Sequence, residues 1–383
     1  MSCRIDRREF VSMTAAGALV GCGSMDRAPC AENLAGDFVW GALLHLGSNM
    51  WGDWSPDVSK LPSSRDEETA MHPGRTLNEH GVLTPITRNY LRAEDSVWRK
   101  QTELAKSEGL NLLIVDIGEG FAFPSHPELW VAGSWDEGKL RCELARIRAM
   151  GIEPVPKLNF STGHDMWLKD YHRMTSSAAY YKVVRDVIRD VAEAFDCPRY
   201  FHVGFDEEIL PAFDGRANAV IRQGDLWWHD LFFAVGEVEK RGARAMMWSD
   251  KICGGREEFL RRMSKGILQV PWYYGDDFSD DKTAWDPKAE KLRDSWDIQR
   301  NLPAALLELG KAGFDMMPCT SNWDSAAAPS AMLKFCRERL DSSRIKGYLT
   351  ASWARSFEEE YPKTEEGIHV FAEARRKYVA EAR

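Results

Sequence analysis

The chain has 383 residues, 44% hydrophobic and 28% charged, which suits one large α/β barrel or two ordinary domains and excludes global disorder. Its 59 acidic and 50 basic side chains leave a net charge of −9, which repels a phosphate backbone over most of the surface and argues against nucleic acid as a partner. Tryptophan is unusually frequent, 15 against 10 tyrosines, and part of that number is expected to line a binding surface.

Residues 1–21 read as an export signal. Arg7-Arg8-Glu9-Phe10-Val11 precedes a weakly apolar run, 15–20, that is too short to span a bilayer. The run ends in Leu19-Val20-Gly21-Cys22, which resembles the bacterial lipobox. That likeness implies acylation of Cys22 as the mature N-terminus, and the twin arginine implies Tat export of a folded chain. A Sec-type signal with a chance cysteine is the alternative. No other stretch is apolar enough to cross a membrane, so the expected location is periplasmic or cell-surface, with membrane contact only through the lipid. The remaining cysteines are scattered without a CxxC pair, which disfavours a structural zinc site or a dense disulfide frame.

After a polar linker, 22–37, strand-like runs alternate with helix-patterned segments through 38–383. The strands are expected at 38–46, 111–116, 153–159, 200–204, 243–248, 267–272, 314–320 and 345–351. Helical periodicity covers 96–107, 136–150, 178–195, 226–241, 303–312, 331–340 and 364–382. Gly109, Gly151, Gly242 and Gly313 each close a helix just before a strand, as αβ loops require. Eight such units predict a (β/α)8 TIM barrel; a doubly wound sheet would carry a GxGxxG turn after its first strand, and none is present. Two long segments, 47–95 and 274–299, follow strands one and six and are expected over the C-terminal mouth, where barrel active sites are built.

The strongest chemical signal is Phe201-His202-Val203-Gly204-Phe205-Asp206-Glu207-Glu208, an apolar strand that ends in consecutive carboxylates. Past a strand end the chain turns, so Asp206 and Glu207 can both converge on the mouth. A carboxylic acid beside the scissile oxygen and a carboxylate that steadies developing positive charge are what glycoside cleavage needs. Acidic doublets are also common on solvated faces, and the position at the end of the fourth strand is what favours a site. A metal centre built on His202 lacks a second histidine at ligand spacing.

The chain resembles the catalytic domain of family 20 glycoside hydrolases, the exo-β-N-acetylhexosaminidases. Their fourth strand ends in His-x-Gly-x-Asp-Glu, matched by His202, Gly204, Asp206 and Glu207. Gly151-Ile152-Glu153-Pro154-Val155-Pro156 and Gly163-His164 are similar to the family's third-strand segment, and Met247-Trp248-Ser249-Asp250 stands where the family has Gly-Trp-Asp-Glu. The resemblance implies substrate-assisted retention: Glu207 as acid/base, Asp206 orienting the substrate's 2-acetamido group, and no protein nucleophile or cofactor. It implies a carbohydrate partner, walled by Trp248, Trp272 and Trp353, with Asp116 and His164 orienting the acidic pair from behind and with His202, Asn322 and Asp324 also among the substrate-binding residues. The family's first-strand arginine has no counterpart, its strand-seven tyrosine aligns with Asn322 ahead of Asp324, and Arg355 stands near the family's last glutamate. Acid and orienter are kept while hydroxyl-reading positions differ. Two readings therefore compete with the hexosaminidase: a glycan-binding barrel that does not cleave, and a glycosidase of changed specificity, including one using Glu119 or Glu208 as a second carboxylate.

Overall fold

Short apolar runs flanked by glycine become parallel strands: β1 (Val39–His45), β2 (Leu112–Asp116), β3 (Glu153–Lys157), β4 (Tyr200–His202), β5 (Arg244–Trp248), β6 (Leu268–Val270), β7 (Cys319–Thr320) and β8 (Gly347–Arg355). The computed structural model describes residues 38–52, 87–213, 218–292 and 295–381. The expected export signal, its lipid-bearing Cys22 and the linker lie outside these residues. Strand order is β6-β5-β4-β3-β2-β1-β8-β7, and parallel bridges Gln269–Met316 and Trp272–Cys319 complete the ring between β6 and β7. The barrel expected from the eight repeats is thus present.

Amphipathic segments supply the outer layer: α1 (Asp95–Ser107), α2 (Glu137–Ala149), α3 (Ala178–Ala194), α4 (Asp225–Glu239), α5 (Arg256–Arg262), α6 (Leu302–Lys311), α7 (Ala328–Arg339) and α8 (Tyr361–Glu381). Asp136 and Ser177 cap α2 and α3 by accepting backbone N–H groups from Lys139 and Tyr180. The four glycines expected to close helices have φ between 75° and 83°, the left-handed conformation that glycine adopts without a Cβ penalty. Helix α5 is not announced by periodicity, because Phe259 is its only buried residue. Strand β7 is shorter than its apolar run, and β8 is longer, which carries Trp353 into the strand itself.

Register places a polar row across the barrel interior. His45 pairs with Asp116, Asp116 with Lys157, and Lys157 with His202 on successive strands. All four are at most 2% exposed, so the charges must satisfy one another. Asp116 accepts a hydrogen bond from Lys157 and lies 3.3 Å from His45 Nδ1. Burial holds both histidines neutral, with His202 pushed down to about 3. This row is the floor on which the mouth residues stand.

Above it the chain after β4 turns sharply. Gly204, Phe205 and Glu207 all have positive φ, at 76°, 68° and 53°. A Cβ on Gly204 would fall 1.9 Å from Asn159 Oδ1, so glycine is required there by both backbone and space. Two non-glycine residues in the left-handed region so close together store strain of the kind found at active sites.

Candidate active site

The turn delivers Asp206 and Glu207 to the mouth, and the loop after β3 meets them there. Ser161 Oγ donates to the Asp206 carbonyl, Asn159 Nδ2 donates to Asp206 Oδ1 at 2.9 Å, and Thr162 N–H donates to Glu208 Oε1 at 3.1 Å. His164 sits between the pair, with Nδ1 3.5 Å from Asp206 Oδ2 and Nε2 3.6 Å from Glu207 Oε2. The expected trio of Asp206, Glu207 and His164 is therefore brought together.

Asp206 is 8% exposed. Burial alone would raise its pKa, but the charges of His164 and Lys157 and the amide of Asn159 outweigh it and hold Asp206 ionised well below the usual range. Asp250, at the end of β5, carries the opposite shift. Burial, then the fields of Asp206 and Glu207, push it up to about 7, against a backbone hydrogen bond from Glu207 N–H to its Oδ2 at 2.9 Å. One carboxylate is fixed as an anion and a neighbour stays protonated near neutrality, the environment-driven separation that acid–base sites use.

Glu207 has a further partner. Gln299, on the long segment after β6, donates from Nε2 to Glu207 Oε1 at 2.9 Å. A cleft of about 180 Å³ opens on this side, lined among others by Asp250, Lys251, Gln299, Glu208 and Trp227. Within the described residues, His164, Asp206 and Glu207 each bring an atom within 4.8 Å of the others, a donor set open to a cation. The amide N–H groups of Asn159 and Gln299 aim positive dipoles at the same carboxylates, which suits anions held by the protein itself.

An aromatic cluster lies near the pair, with Tyr274 within reach of their fields. Trp248 packs on His202 at 4.6 Å and on Trp353 at 5.8 Å, and Tyr274 stacks on Trp272 at 4.9 Å and lies 6.1 Å from Trp353. The three expected tryptophans thus join one aromatic cluster, in which Trp248 and Trp272 are buried. Trp353 has φ 51°, a second strained position at the mouth. Tyr274, which the sequence does not single out, belongs here; burial raises its hydroxyl pKa, and Glu207 and Asp206 add to the shift through their fields. Its signal in the sequence is the run Trp272-Tyr273-Tyr274 after the sixth strand.

The remaining residues named from the sequence make other contacts. His202 is fully buried and accepts the Gly204 N–H on Nδ1 at 3.1 Å, so it braces the turn from below. Asp116 is tied to Lys157 and acts on the pair only through that charge. Asn322 donates to the Lys363 carbonyl and to Glu366 Oε2 on α8, because the loop after β7 turns its side chain toward the outer helix. Asp324 is exposed on that loop. Arg355 pairs with Glu360 at 2.6 Å. Glu119 accepts the N–H groups of Ser48 and Asn49 at 2.8–3.1 Å, and Glu208 is locked to buried Arg222. Among the described residues the cysteines form no disulfide.

The raised pKa of Asp250 has a stability consequence. Its folded value of about 7 lies above the unfolded value of 3.8, so its contribution is fully present below the unfolded value and is lost as pH rises through about 7. Asp250→Asn keeps an acceptor for Glu207 N–H and removes the titration. Its melting temperature should gain on the parent by roughly 3 °C between pH 4 and pH 8; parallel melting curves across that range would contradict the assignment.

No family model matches the chain, and no curated protein matches it. Solved structures do. The chain is similar to a chitobiase of Flavobacterium johnsoniae at TM-score 0.51 and 15% identity, over 75% of this chain and 48% of that one. It is similar to a β-N-acetylhexosaminidase of Bacteroides fragilis at TM-score 0.49 and 12% identity, over 86% and 65%. A family 20 β-N-acetylhexosaminidase of Streptomyces coelicolor aligns at TM-score 0.47 and 14% identity, over 73% and 61%. The chain thus spans about half the length of the first of these. At such identities the likeness is one of fold, and in fold the chain resembles the catalytic domain of the family 20 glycoside hydrolases.

Proposed function

We propose that the chain is a glycoside hydrolase that releases terminal β-linked N-acetylhexosamine with retention, using the substrate's own acetamido carbonyl as nucleophile. In this reading Glu207 gives its proton to the glycosidic oxygen as the C1–O bond breaks, and the carbonyl oxygen bonds to C1, closing a cyclic oxazolinium. Asp206, already an anion, faces the acetamido N–H and steadies the positive charge that develops there. The Glu207 carboxylate then takes a proton from water as that water attacks C1; the C1–O bond to the acyl oxygen breaks, the ring reopens to the acetamide, and the acid is restored. Half-buried Trp353 and Tyr274 offer apolar faces for the sugar ring and the acetamido methyl, with buried Trp248 and Trp272 packed behind them.

The observation that carries the proposal is His164 held between Asp206 and Glu207 at 3.5 and 3.6 Å, with Asp206 kept ionised. It is supported by what the other candidates do. Glu119 and Glu208, which a two-carboxylate mechanism would recruit, are already committed to backbone donors and to Arg222. Export and lipid anchoring belong to the same proposal and rest on Arg7-Arg8 and on the Leu19–Cys22 tetrad. Expressed in a bacterium with Tat export, the chain should fractionate with membranes and Cys22→Ser should release it; a soluble parent would remove the anchor.

Hydrolysis of chromogenic β-glycosides tests the activity. Turnover should be confined to N-acetylated sugars among GlcNAc, GalNAc, glucose and galactose, and Glu207→Gln should lower kcat by about 10²–10⁴-fold with the fold intact. A folded parent that binds these sugars without cleaving them would favour a glycan-binding barrel, and cleavage of glucosides would overturn the acetamido mechanism.

A further inference from the structure

The segment after β6 is long, and one residue of it touches the acid. Residues on either side of Gln299 are pinned. Ile298 is 5% exposed and packs into the core, with its Cδ1 3.1 Å from where a Cβ on Gly254 would be. Asn301 is fully buried and clamps Asp286, accepting its N–H at 2.8 Å and donating to its carbonyl at 3.0 Å. Arg300 adds an ion pair to Asp286 at 3.2 Å. Between these anchors the Gln299 amide is held with its Nε2 donating to Glu207 Oε1. Glu207 Oε2 faces His164 on the opposite side, and the Glu207 backbone N–H is bound by Asp250. The acid is thus gripped by three loops, those after β3, β5 and β6.

We propose that Gln299 is a positioning residue for the acid: its amide N–H fixes the Glu207 carboxyl and stabilises the carboxylate left behind when the proton is given to the leaving group. The inference rests on the reading of Glu207 as acid/base. The chemistry follows from crowding. Asp206 from the β4 turn and Asp250 from β5 face Glu207 with like charge or potential like charge, Tyr274 from the β6 loop lies within reach of its field, and His164 faces it from the β3 loop. Carboxylate neighbours make ionisation of Glu207 costly at the moment of proton transfer. A preorganised neutral donor offsets that cost without adding a charge that would compete with the substrate. Glutamine also serves both states, since rotation about its last bond presents Oε1 to a protonated carboxyl and Nε2 to an ionised one.

The test is the pH profile of kcat/KM on an N-acetylated chromogenic substrate for the full chain and for Gln299→Met and Gln299→Glu, with thermal unfolding to establish that each is folded. Gln299→Met keeps the length and loses the donor. It should lower kcat about tenfold with KM changed less than twofold, and move the alkaline limb up by half a pH unit or more, because an acid that ionises less readily stays protonated to higher pH. Gln299→Glu should move the limb further, by adding like charge. Profiles that superimpose on the parent, or a rise in KM alone, would overturn the role and leave the segment a binding loop. Glu207→Gln separates the two claims: an inactive Glu207→Gln with unmoved Gln299 profiles rejects the positioning role only, whereas an active Glu207→Gln rejects both.

Discussion

Several carboxyl groups crowded into one poorly solvated mouth set the terms for the rest of this molecule. Asp206 and Asp250 are pushed in opposite directions, and the surroundings decide which of them ionises. Lys157 in the interior row, His164 in the β3 loop and the Asn159 amide favour the anion on Asp206. Asp250 then stays protonated up to about 7. The interior row is the less obvious part of this arrangement, because a buried Lys157–Asp116 pair in register with two neutral histidines puts a positive charge beneath the mouth without opening the barrel to water.

Backbone strain is the second half of the same design. The left-handed turn through Gly204, Phe205 and Glu207 is what allows adjacent residues to face one cleft, where a regular strand would send them to opposite sides. The turn is held by Ser161 and Asn159 from one side, by His202 beneath and by Asp250 from the other. The aromatic cluster repeats the pattern at Trp353, whose positive φ lies within β8. Rigid strands supply position and strained ends supply aim, in keeping with barrel sites at the C-terminal face.

The barrel was legible in the sequence because its signals are local. Alternating periods, helix-closing glycines and turn spacing each depend on a few neighbouring residues, and Gly109, Gly151, Gly242 and Gly313 all carry the positive φ expected of them. Helix α5 was not legible, since Arg256-Glu257-Glu258-Phe259-Leu260-Arg261-Arg262 offers almost no apolar stripe. Asp206, Glu207 and His164 were legible because two are contiguous and the third lies in the loop after the neighbouring strand. Asp250 and Gln299 reach Glu207 from 43 and 92 residues away, and no local pattern encodes that meeting. Asn322 shows the converse: its place after the seventh strand suggested the site, but which way a loop side chain turns depends on α8, which supplies Glu366.

The chemistry of the mouth turns on whether the substrate's acyl carbonyl does the attacking. The direct measurement is kcat/KM along a series of β-glucosaminides whose N-acetyl group carries zero, one, two and three fluorines. Each fluorine withdraws electrons from the carbonyl oxygen while changing little else about the sugar. A steep monotonic fall along the series is the predicted result, since a weaker nucleophile raises the barrier to ring closure. Rates that are flat across the series would mean that a protein carboxylate or water attacks C1, and would contradict the acetamido mechanism and the role proposed for Asp206.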